Sequence, residues 1–144
     1  MAAVYRFWAS LMALAVLVQI GHAGVGAYHA THSLADKGDT LGEHSFSRWF
    51  SPHIAVGYLL FLASIVLLIL AAIGARHRLR WSALAFVLFL IQIPLAWLGD
   101  GVPFLGFLHP LNALAILAVV GSLAHAEWRG DRRAAAPRAG AAVT

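Results

Sequence analysis

Residues 52–75 read PHIAVGYLLFLASIVLLILAAIGA and contain no Asp, Glu, Lys or Arg. A helix of about 20 such residues spans the ~30 Å of bilayer hydrocarbon, and an isolated apolar run of this length has no other stable resting place. Similar stretches flank it at 7–28, 81–98 and 105–127, with a longer connection at 29–51 and a tail at 129–144. Each span must satisfy its own backbone groups in lipid, which an α-helix does and an open sheet edge does not. The expected fold is therefore all-α: one membrane four-helix bundle over residues 1–128, followed by a frayed, solvated tail from Arg129.

Composition excludes much else. The chain has 144 residues, 61% of them hydrophobic and 11% charged, too little polar surface for a water-soluble globule of this size. Arg6, Arg76, Arg78, Arg80, Arg129, Arg132, Arg133 and Arg138 fall at one end of the spans, leaving Lys37 and Arg48 at the other. The positive-inside tendency then places both termini in the cytoplasm, in a multi-pass protein of a bacterial-type inner (plasma) membrane. Trp8, Trp81 and Trp128 mark the same inner boundary, and Trp49 and Trp97 the outer one, where amphipathic indoles reside. The net charge of +4 thus reflects topology and anionic lipid and does not point to nucleic acid. Arg6 before an apolar run and small residues at 23–30 also suit a cleaved leader, against which stands the repeat described next.

Leu17-Val18-Gln19-Ile20-Gly21-His22-Ala23 in the first span resembles Leu90-Ile91-Gln92-Ile93-Pro94-Leu95-Ala96 in the third, and Gly26 and Gly99 follow at the same offset. His53 with Gly57 in the second span likewise mirrors His109 with Ala113 in the fourth. The expected arrangement is two tandem helical hairpins with pseudo-twofold symmetry about the membrane normal. In such a bundle the second and fourth helices are diagonal and parallel, bringing His53 and His109 to one depth near the outer face.

With no cysteine in the chain, disulfides, thiolate ligands and covalent c-type haem attachment are absent, and any metal must be held mainly by histidine. His53 and His109 are the candidate axial pair. Gly57 and Ala113, one turn further along each helix, leave room for a ring lying edge-on. The plainer alternative is a pair of interfacial histidines with no ligand. His22 is expected to support the site, and Gln19 and Gln92 to bridge helices or orient neighbours. His29, His32 and His44, with Asp36, Asp39 and Glu43, enrich the outer connection in groups that suit zinc or copper, though without cysteine or a second tight pair a solvated loop is the better explanation. His77 and His125 near the inner surface suggest a second pair only if His77 leaves its cluster of arginines. Asp100, in Gly99-Asp100-Gly101-Val102-Pro103, is expected to end a helix in a turn. No nucleophile elbow, phosphate-binding loop or paired carboxylate is present, so no catalytic residue is assigned.

This layout resembles one half-bundle of the haem A synthase family and, more broadly, small transmembrane cytochromes b. Small four-span membrane proteins of unknown function share the His109-Pro110-Leu111-Asn112-Ala113 type of fourth helix. The resemblance covers Phe7 to Glu127 and implies that His53 and His109 ligate one b-type haem. The catalytic half of haem A synthase carries a glutamate three residues before the second-helix histidine, where this chain has Phe50, so the resemblance implies haem holding and electron transfer, not haem oxidation. The counterpart is a quinone or another redox partner, in a homo-oligomer or larger membrane complex. The rival expectation is a non-enzymatic membrane subunit or assembly factor, its outer histidines handling metal. A third is haem or metal transport.

Overall fold

A computed structural model describes residues 2–32, 34 and 43–135, with side chains outside 43–46 and 131–135. Helix α1 spans Ala2–His32, α2 Glu43–Gly74, α3 Leu79–Gly99 and α4 Pro103–Ala135, with a short 3-10 turn at Arg76–Arg78 between α2 and α3. All four helices are long and apolar enough to cross a membrane, and no strand occurs among the described residues. The chain is an all-α four-helix protein of multi-pass membrane type.

The helices outrun the expected spans. α1 continues to His32 and α2 begins at Glu43, so much of the expected outer connection 29–51 is helical. At the other end α4 carries on through 129–135, the start of the expected tail. A bilayer limits the apolar length a helix needs, but nothing stops a helix from continuing into water once nucleated. The connection between α3 and α4 does match expectation: α3 stops at Gly99, Asp100 and Gly101 form the turn, and the Val102 N–H donates to the Leu98 carbonyl at 2.9 Å.

Around the bundle the neighbours are α1 with α2, α2 with α3, α3 with α4 and α4 with α1, which puts α2 and α4 on one diagonal and α1 and α3 on the other. The inward positions recur at spacings of three and four: Tyr5, Ala9, Met12, Val16 and Gln19 on α1, and Ser82, Ala85 and Phe89 on α3. Leu60, Ser64, Leu67 and Ala71 on α2 and Ile116, Val120 and Leu123 on α4 complete the core. That spacing is the left-handed bundle pattern, in which one narrow stripe of each helix faces the axis. The outward residues are just as apolar, with Leu59 63% and Leu62 55% exposed, as lipid contact requires.

The two diagonals are tied at opposite ends. Near the arginine-rich end, the Tyr5 hydroxyl and Ser82 Oγ share a buried hydrogen bond of 2.8 Å between α1 and α3. Beside it Glu127 of α4 accepts from Arg78 Nε at 2.8 Å, and Arg6 of α1 lies 4.4 Å over the Trp128 ring. At the far end the α2–α4 diagonal is closed by the two histidines.

Candidate functional site

The buried apolar core ends at Val16, Leu60, Phe89 and Ile116, and above it the inward positions become polar. Gln19 of α1, His53 of α2, Gln92 of α3 and His109 of α4 lie in this layer, Gln19 buried and the other three half-buried. The sequence dictates the change. The polar group stands one turn beyond the last large core residue on α1 and α3 and two turns beyond it on α2 and α4, where the intervening Gly57 and Ala113 offer no bulk to cover it.

Each hairpin makes the same reciprocal bonds. Gln19 Nε2 donates to the carbonyl of His53, and His53 Nδ1 lies 3.3 Å from the carbonyl of Gln19. Gln92 Nε2 donates to the carbonyl of His109 at 3.1 Å, and His109 Nδ1 lies 3.2 Å from the carbonyl of Gln92. A carbonyl oxygen only accepts, so this network assigns the proton of both neutral rings to Nδ1 and leaves Nε2 as the lone-pair nitrogen. A backbone carbonyl on Nδ1–H is the usual way a protein fixes the tautomer and orientation of a metal-binding imidazole.

The ring centroids of His53 and His109 are 6.2 Å apart, with the planes inclined at 61°. Metal–nitrogen bonds of about 2 Å put two coordinating nitrogens about 4 Å apart, with each ring centre roughly an ångström further back. The observed separation fits one metal ion between the rings. The periphery is filled differently from expectation: a Cβ on Gly57 would sit 3.4 Å from Gln19 Nε2, so the Gln19 amide occupies the space that a ring edge was expected to use. Gln92 Nε2 also lies 3.1 Å from His109 Nε2, capping that lone pair.

The two halves differ in their remaining polar contacts. On the α3–α4 side, Asn112 Nδ2 donates to Gln92 Oε1 at 2.6 Å and to the Leu88 carbonyl at 2.8 Å. On the α1–α2 side, Gln19 Oε1 is buried without a partner. No described group bonds Nε2 of His53, so the α1–α2 half holds an unmet acceptor beside an uncapped lone pair. An orphaned buried acceptor costs about 1–3 kcal/mol, which a bound group or water recovers.

The remaining candidates separate from this layer. His22 is exposed on α1, outside the hydrogen-bonded set. His29 stacks on Trp49 at 3.7 Å and His32 on Tyr28 at 6.0 Å, and among the described residues no group of three or more His, Asp or Glu could hold a metal ion. The side chains of His44 and Glu43, and Asp36 and Asp39 altogether, lie outside the described residues. His77 pairs with Glu127 at 3.3 Å, and His125 is exposed on α4, so these two form no second axial pair.

Asn112 is the participant that sequence reasoning passed over, although a lone amide three residues after His109 in an apolar helix was a signal. The carbonyls of Gln19 and Gln92 carry no side-chain signal at all. Phe50, at the position of the family's glutamate, rests its ring 3.0 Å from where a Gly26 Cβ would be. No family model, curated protein or solved structure matches the chain, so its function rests on this geometry.

Proposed function

We propose that the chain is a bacterial-type inner-membrane protein, with both termini cytoplasmic, that binds one haem b near the outer face through His53 and His109 and takes part in electron transfer. The observation that carries this reading is the pair of imidazoles on diagonal helices, 6.2 Å between centres, each oriented by a carbonyl on its Nδ1 side. Nε2 is the coordinating nitrogen on both rings. Coordination by His109 takes Nε2 from the Gln92 amide, which keeps its bond to the His109 carbonyl. Gln19 and Gln92 hold the ligand helices in register, Gly57 and Ala113 keep the layer free of bulk, and His22 lines the outer rim as a polar support. A bound haem, held by His53 and His109, would supply one-electron exchange.

The repeated Gln–His bonds support two tandem hairpins related by a pseudo-twofold axis. The redox counterpart is a quinone or a partner protein docking at the outer face, in a homo-oligomer or larger membrane complex. Purified protein should carry one haem per chain that survives detergent washing, and His53→Ala and His109→Ala should each lower that ratio. Haem that washes away from the wild type favours transport, and a chain that never acquires haem favours the subunit or assembly-factor reading.

A further inference from the structure

Between α3 and α4, far from the histidines, a groove of about 380 Å³ is lined by Arg78, Trp81, Ala118, Ser122, Leu123 and Ala126. Its volume falls in the range of small-molecule sites. Ala118, Ser122 and Ala126 are spaced by four residues, so they line up along one edge of α4 and leave a furrow roughly 12 Å long parallel to the helix axis. Leu123, buried, forms its floor, and Trp81, 54% exposed, forms a wall.

The two ends of the furrow differ in chemistry. At the helix end Arg78 stands in the lining, with Arg76 on the same short turn, Arg80 in the first turn of α3 and Arg129 just beyond Glu127. Among the described side chains Glu127 is the single acid at this end, and it engages one nitrogen of Arg78, Nε, leaving the outer guanidinium nitrogens to other partners. Toward the middle of the bilayer the lining is apolar and small. A cationic mouth at headgroup depth, an interfacial indole beside it and an apolar furrow descending from it match one molecule, a phospholipid with an anionic headgroup and one acyl chain laid along α4.

We propose that this groove is an anionic phospholipid site, with the phosphate at Arg78 and an acyl chain over Ala118, Ser122 and Ala126. It is independent of the haem reading. Full-length chain reconstituted in vesicles of equal phosphatidylcholine and phosphatidylglycerol, extracted in detergent and weighed by native mass spectrometry, should retain phosphatidylglycerol, with a preference of about fivefold from the one arginine in the lining. Ser122→Leu, which fills the furrow without touching the charge, should remove the adduct. Arg78→Gln should abolish the preference and Arg78→Lys should keep most of it, so that a folding defect from the unpaired Glu127 is told apart from lost recognition. Equal retention of the two lipids, or an adduct that survives Ser122→Leu, overturns the proposal. So does disulfide-linked dimer formed by Ser122→Cys in the bilayer, since a second copy then covers the groove.

Discussion

Val56 and Asn112 occupy the same place relative to their histidines, three residues further along each helix, yet only Asn112 can donate to the neighbouring glutamine. The consequence is the orphaned Gln19 Oε1. Val56→Asn should supply the missing donor and raise resistance to thermal or detergent unfolding by about 0.5–1.5 kcal/mol, the range measured for hydrogen bonds between membrane helices. Asn112→Val should lower it by about 1–2 kcal/mol, because Gln92 Oε1 and the Leu88 carbonyl each lose a donor. An unfolding titration in which both variants match wild type would show that the amides are interchangeable with apolar contacts here. At this scale the sequence spoke through residue type: His53, His109, Gln19 and Gln92 stand out as polar groups inside apolar runs. The contribution of main-chain carbonyls, and the intrusion of Gln19 over Gly57, depend on backbone positions that no residue type announces.

The helices repeat at the level of elements. Ala9, Met12 and Val16 of α1 are buried, as are Ser82, Ala85 and Phe89 of α3, each 73 residues later. Leu60, Ser64 and Leu67 of α2 correspond in the same way to Ile116, Val120 and Leu123 of α4, each 56 residues later. Gly26 and Gly99 follow their glutamines by seven residues, and each meets the residue three before the paired histidine, Phe50 or Gly106. The contacts differ in hardness: a Cβ on Gly99 would lie 2.7 Å from the Gly106 Cα, a backbone atom, whereas Gly26 faces the edge of the Phe50 ring. Gly99→Ala should therefore cost about 1–3 kcal/mol by forcing α3 and α4 apart. Gly121→Ala, with nothing within 4 Å, should gain about 0.5–1 kcal/mol from helix propensity alone. Equal stability of the two variants would mean that the α3–α4 crossing yields freely. The short quoted repeat and the two glycines pointed in advance to these matching buried positions. Helix ends were not legible, because the spans were judged by apolar length, and His29, Trp49 and Arg129 continue their helices in water by backbone bonding that hydropathy does not record.

For the molecule as a whole, hydropathy carried most of the fold, since a bilayer leaves few alternatives to a bundle of four apolar helices. The diagonal pairing of α2 with α4 followed from sequential packing of the four spans. Orientation is directly testable in a chain without cysteine. A membrane-impermeant maleimide applied to intact cells should label Gly101→Cys and spare Arg76→Cys until the membrane is opened, and the reverse pattern would invert the assigned topology. The two histidines were legible as a pair at the end of the bundle away from the arginines, but what fills the space around them was not. The measurement that bears most directly on the bis-histidine site is the dithionite-reduced absorption spectrum of protein purified from cells supplied with ample haem. An intense Soret band with sharp α and β bands, lost or converted to a high-spin form in both His53→Ala and His109→Ala, is the required result. Colourless wild-type protein, or bands that persist unchanged in both variants, would contradict it.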